Sequence, residues 1–218
     1  MKTNKLKIYY EDKYLIVVSK PYHLLTIANE REKEHTLYHE VSLYLKRKNK
    51  NNRVFIVHRL DYDTSGLIIF AKDIKTKTVL QDNWNKVIRK YVAIVNGKLE
   101  YDKGVVKSYL KETKTNLVYS TKDSKNGLEA ITEYRKILEY NNLTLVEINL
   151  KTGRKNQIRV HMNDLGHEIL GDKKYGMKDK ESRLYLHAYY LKFNHPITGE
   201  VVELESDIPK EFLEKLGR

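Results

Sequence analysis

The sequence predicts an α+β fold, a mainly antiparallel mixed sheet with flanking helices. Short β-branched runs outnumber helical stretches, neighbouring runs are often joined by tight polar turns, and helical periodicity is confined to isolated segments between them. With three prolines, ten glycines and no repeat, no linker or domain boundary stands out, so 1–218 reads as a single domain.

Tyr14-Leu15-Ile16-Val17-Val18-Ser19-Lys20, closed by Pro21, reads as the opening strand. From His35 to Lys46 the spacing of Leu37, Val41, Tyr44 and Leu45 puts one apolar face on a helix, with Thr36 placed to cap it. The basic run Lys46 to Lys50 is expected to end that helix in an exposed loop. Val54–Val57 and Leu67–Ala71 are apolar and short enough to be buried strands. Thr76 to Lys86 predicts a weaker helix, and Lys90 to Val95 a strand. Ile131–Leu138 and Leu143–Leu150 alternate about Asn141-Asn142, the signature of a hairpin. Lys155 to Leu165 predicts a helix stopped by Gly166. A second hairpin joins His187–Phe193 to Glu200–Glu205, and Pro209 to Leu216 forms a last amphipathic helix.

The chain has no cysteine, which excludes disulfides and thiolate metal sites. The polar N-terminus lacks the apolar core of a signal peptide, and no apolar stretch approaches the ~18 residues of a membrane span. The expectation is a soluble cytoplasmic protein without a membrane partner. Lysine and arginine number 41 against 29 acidic residues, a net charge of +12. Such an excess favours polyanionic partners through counterion release, though a lysine-rich composition alone produces the same number.

The run His58-Arg59-Leu60-Asp61-Tyr62-Asp63-Thr64-Ser65-Gly66 links two predicted buried strands. A carboxylate there is held rigidly at the mouth of the sheet, which suits a nucleophile or general base. On local sequence alone the commoner reading is a turn aspartate, or a partner for Arg59. Asp63 raises a glycosidase pair, but carboxyls two residues apart in one loop rarely flank a bond from both sides. Lys151-Thr152-Gly153-Arg154-Lys155-Asn156-Gln157-Ile158-Arg159 gathers cations at a strand-to-helix junction. Arg159 can fork onto a carboxylate or hold a phosphate. Tyr91 can stack on a base, although a tyrosine in a strand is more often packing. His161, Asp164 and His167 have the spacing of metal ligands without a supporting motif, so no metal is expected.

Together these segments resemble the RluA-like family of RNA pseudouridine synthases. The match comprises His58-Arg59-Leu60-Asp61 with Thr64-Ser65-Gly66, Lys90-Tyr91-Val92-Ala93, Thr152-Gly153-Arg154 through Gln157-Ile158-Arg159-Val160-His161, and Gly171-Asp172, all in family order. Leu186-His187-Ala188 and His195-Pro196 complete it. The resemblance implies the family's catalytic fold with a central active-site cleft, and no separate N-terminal RNA-binding domain. It implies Asp61 as catalytic carboxylate, Arg159 as its charge partner, Tyr91 against the target uracil and Arg59 as wedge or phosphate contact. The substrate class is RNA rather than DNA, with ribosomal or transfer RNA stem-loops first. The enzyme is expected to act as a monomer without cofactor, since the isomerisation is redox-neutral. Two departures stand out. His23 replaces a usual glycine and asks for a different turn, and Asn156 replaces a usual histidine. The rival reading is a non-catalytic RNA-binding protein on the same scaffold.

Overall fold

The computed structural model describes residues 6–30, 32–177 and 179–218. The start of the polar N-terminal run, Met1 to Lys5, lies outside them. In chain order come β1 (Lys7–Glu11), β2 (Leu15–Lys20), α1 (Leu37–Lys48), β3 (Phe55–Ile56), β4 (Ser65–Ala71) and α2 (Ile74–Asp82). A 3-10 turn at Trp84–Lys86 precedes β5 (Ile88–Asn96), β6 (Lys103–Glu112), β7 (Val118–Thr121), β8 (Leu128–Tyr140) and β9 (Leu143–Leu150). Then follow α3 (Gln157–Asp164), β10 (Leu186–Asn194), β11 (Val201–Glu205) and α4 (Lys210–Lys215). The α+β class is as predicted. The chain parts into two compact units, Met1–Val87 with Ala188–Ser206, and Ile88–His187 with Asp207–Arg218.

In the first unit the strand order is β1-β2-β4-β10, with β3 on β4 and β11 on β10. The strands β2 and β4 are buried along nearly their whole length because the sheet is covered on both faces. Leu15, Val17, Leu67 and Ile69 point into a core with Leu80 of α2 and Val202 of β11. Ile16, Val18, Ile68 and Phe70 point the other way, against Leu37, Val41 and Leu45 of α1. A strand alternates its side chains with period two, so two covered faces yield a continuous apolar run. Thr36 caps α1 as anticipated, its side chain accepting from the His39 N–H at 3.2 Å. Lys46, Arg47 and Lys48 form the helix's last turn, where cations favour the dipole, and the loop begins only after them. Val54–Val57 contracts to a two-residue strand, since only Phe55 and Ile56 register against Ala71 and Phe70. The helix expected at Thr76–Lys86 starts earlier, because Asp73 caps it by accepting from Thr76 N–H at 2.8 Å.

In the second unit the order is β5-β9-β8-β6-β7, all antiparallel. Neither β6 nor β7 is anticipated from the sequence. The β8–β9 hairpin turns through Asn141 and Asn142, at φ 46° and 60°, the left-handed pair whose twist matches that of the strands. On one face of the sheet, Val160 of α3 packs on Leu110, Val118 and Ala130. Gly166, at φ 77°, follows the end of α3 as predicted. No helix among the described residues is long and apolar enough to cross a membrane.

Candidate active site

The Asp61 segment belongs to the first unit. Leu60 is buried, and both of its backbone groups are taken by one hydroxyl. Thr26 Oγ1 donates to the Leu60 carbonyl at 2.8 Å and accepts from the Leu60 N–H at 3.2 Å. On the far side of Asp61, Lys20 Nζ donates to the Tyr62 carbonyl at 3.2 Å. The same ammonium donates to the carbonyls of Leu24 at 2.7 Å and Pro21 at 3.0 Å. Three acceptors match the three N–H donors of an ammonium. Lys20 is fully buried, at 0% exposure, and burial pulls its pKa down to about 7, with the Asp61 and Asp63 carboxylates opposing the fall. Asp61 is thus held by its backbone from both sides, while its own side chain is only half-buried.

The turn itself is closed by Thr64 N–H donating to the Asp61 carbonyl at 3.1 Å. Thr64 and Ser65 are buried, and Gly66 has φ 122°. A Cβ at Gly66 would lie 2.2 Å from the Ala188 carbonyl oxygen of β10, so only glycine fits where the strands close on each other. His58 is architectural. Its Nε2 accepts from the Ile69 N–H at 3.0 Å, and its ring lies 4.4 Å from that of Trp84. Arg59, between His58 and Leu60, is exposed.

His23 takes a conformation unusual for its type. It adopts φ 55°, the left-handed conformation in which glycine is at ease, so the turn after Pro21 is one that a glycine would also fit. A non-glycine residue in this region costs on the order of 1 kcal/mol, and histidine is among the more tolerant types.

In the second unit, Tyr91 lies in β5 opposite Ile148 and is buried. Arg159 lies on α3. Its guanidinium forks onto Asp172, Nε to Oδ2 at 2.8 Å and Nη2 to Oδ1 at 2.6 Å, with both side chains buried. Asp172 Oδ1 also accepts from the backbone N–H of Lys174 and of Tyr175, and the Arg159 guanidinium lies 5.3 Å from the Tyr175 ring centre. Asp172, part of the Gly171-Asp172 motif, carries no expected role from the sequence.

The Gln157 amide fills all four of its hydrogen-bond positions. Its oxygen accepts from Thr152 Oγ1 and Arg154 N–H; its nitrogen donates to the Ile131 carbonyl and Thr132 Oγ1. Asn156, like His23, is left-handed, at φ 54°, and its side-chain nitrogen donates to the Tyr175 hydroxyl at 3.1 Å. His161 is fully buried between hydroxyls, with Nδ1 2.7 Å from Thr132 Oγ1 and Nε2 3.0 Å from Ser108 Oγ. Burial pushes its pKa down. His167 Nδ1 lies 2.9 Å from the Asn96 carbonyl oxygen. These contacts occupy the histidines as supports for α3 and its flanks. Among the described residues no group of three His, Cys, Asp or Glu side chains is placed to hold a metal.

Comparison with known proteins supplies the chemistry. Residues 14–164 match the family model described as RNA pseudouridylate synthase. The chain is 36% identical over 217 residues to the Bacillus subtilis protein named "Uncharacterized RNA pseudouridine synthase YlyB", covering 96% of this chain and 71% of that one. It is 36% identical over 221 residues to a "Ribosomal large subunit pseudouridine synthase D" of Borreliella burgdorferi, covering 95% and 67%. Among solved structures, "Human RNA Pseudouridylate Synthase Domain Containing 4" superposes with a TM-score of 0.82 at 26% identity, covering 97% of this chain and 92% of that one.

Proposed function

The chain belongs to the RNA pseudouridylate synthase family, and on that premise we propose that it isomerises uridines in ribosomal or transfer RNA stem-loops with Asp61 as its catalytic carboxylate. The observation that carries this reading is the double tether on the Asp61 loop. Thr26 fixes Leu60 and Lys20 fixes Tyr62, so the backbone of the residue between them is locked while its carboxylate stays accessible. Catalytic groups are most effective when their supports are rigid.

The reaction breaks the bond from uracil N1 to the anomeric carbon, turns the base, and forms a bond from C5 to the same carbon. N1 ends with a proton and C5 loses one, so atoms and electrons balance without an oxidant, a reductant or a cofactor. Asp61 acts ionised, whether it attacks the anomeric carbon or removes a sugar proton. Arg159 forks onto Asp172, which orients the guanidinium. In our proposal this oriented guanidinium is the charge partner of Asp61 in the RNA-bound enzyme and keeps that carboxylate charged. Tyr91 stacks on the target uracil and assists loss of the C5 proton. Arg59, exposed beside Leu60, replaces the uridine in the RNA stack or contacts phosphate. The working unit is a monomer acting on RNA in the cytoplasm through a single catalytic domain spanning 1–218.

Release of tritium from RNA labelled at uridine C5 tests this directly. RNA from cells lacking the gene should lose tritium on addition of the protein. An absence of release from any RNA fraction would show that the chain binds without turning over.

A further inference from the structure

Tyr22, His23 and Tyr62 form a short ladder of rings beside the Asp61 loop. The His23 and Tyr62 rings stack with centres 5.4 Å apart and planes 17° from parallel. Tyr22 meets His23 edge-on at 4.9 Å and 71°. His23 Nε2 lies 3.6 Å from Asp63 Oδ1.

Two features separate this ladder from ordinary packing. The stacked rings stay in solvent: Tyr62 is 49% exposed, and the His23 side chain is 40% exposed. In addition, His23 holds a left-handed backbone conformation that glycine would occupy without strain, so the position carries a ring against its backbone preference. Tyr62 directly follows Asp61, and its carbonyl is fixed by Lys20. The platform is therefore rigid at its base and lies within a residue of the proposed catalytic carboxylate. Arg59, three residues before Tyr62 in the chain, is exposed as well.

We propose that Tyr62, stiffened by His23, is a stacking platform for an unpaired nucleobase adjacent in the RNA to the target uridine. The inference rests on the proposed function. Its occupant follows from three facts: the family acts on RNA, the chain carries a net charge of +12, and the exposed stack presents flat aromatic faces. Base–aromatic stacking tolerates any base, so the platform selects for an unstacked neighbour rather than a particular sequence. It favours targets in loops or bulges over uridines whose neighbours are paired.

The test uses C5-tritiated RNA from cells lacking the gene, with KM and kcat measured separately for wild type, Tyr62→Leu, Tyr62→Trp, His23→Gly and Asp61→Asn. Tyr62→Leu should raise KM roughly tenfold, the scale of one lost base–ring stack, with kcat within about twofold. Tyr62→Trp should restore KM. His23→Gly relieves the left-handed position, so it should keep its melting temperature while also raising KM. Unchanged KM in Tyr62→Leu and His23→Gly, with Asp61→Asn inactive, overturns the platform and leaves the proposed function standing. A joint fall of kcat and melting temperature in both ring variants assigns the rings to loop support and also overturns it. Wild-type protein that releases no tritium overturns the proposed function and this inference together.

Discussion

One hydroxyl, that of Thr26, engages both backbone groups of Leu60, donating to its carbonyl at 2.8 Å and accepting from its N–H at 3.2 Å. Both residues are buried, so no water replaces the hydroxyl if it is removed. Thr26→Val keeps the shape and leaves two buried backbone groups unpaired, each worth about 1–3 kcal/mol. Urea titration should show a loss of about 2–6 kcal/mol, with Thr26→Ser within about 1 kcal/mol of wild type. A Thr26→Val variant as stable as wild type would mean that Leu60 is not held in this way.

Lys20 makes the matching tether on the other side of Asp61, and its buried state has a pH signature. Burial lowers its pKa from 10.5 to about 7. Between those values the unfolded chain binds the proton more fully than the folded one, so this group's contribution to stability rises with pH across that window. The stability of wild type relative to Lys20→Met should therefore increase between pH 7 and pH 9.5. A constant difference over that range would show that the three carbonyl acceptors keep the ammonium charged throughout.

Glu11 has the opposite sign. Burial pushes its pKa up, but Lys48, Lys72 and Tyr44 outweigh that and hold it at about 2, against an ordinary 4.5. The contribution is present above pH 4.5 and is lost as pH falls towards 2. Glu11→Gln should flatten the acid limb of the stability profile in this window. An unchanged limb would place the acid sensitivity in other carboxylates.

Gly66→Ala meets two obstacles, a φ of 122° and the Ala188 carbonyl oxygen 2.2 Å from the new Cβ. The variant should lose more than about 4 kcal/mol or fail to accumulate as folded protein. A melting temperature within a few degrees of wild type would contradict the close approach of β4 and β10.

The burial of β4 was legible in the sequence, because the apolar run Leu67–Ala71 has no polar face, and Tyr14–Lys20 was legible as a strand. The strand β6 was not legible. Lys103 to Ser108 alternates between exposed and half-buried positions, Val105 is 63% exposed, and only Leu110 of the strand is buried. That strand is held by its ladder with β8, which leaves no local apolar signature. The four-residue β7 is hidden for the same reason. At the site, the position of Asp61 between two strands was legible, but its tethers were not. Thr26 lies 34 residues before Leu60, and Lys20 lies 42 before Tyr62. A buried lysine closing an apolar run was the available signal. Arg159 was legible as a forked cation. Its fork onto Asp172 was not, because a carboxylate 13 residues later in a turn has no periodic relation to a helix.

The central claim is that Asp61 performs the chemistry, and the most direct measurement is tritium release from C5-labelled RNA by Asp61→Asn. The substitution keeps size and backbone and removes the charge. The account predicts release at least about a thousandfold below wild type, a scale set by the loss of an essential catalytic group, with RNA affinity within a few-fold. Release at a wild-type rate from Asp61→Asn would contradict it.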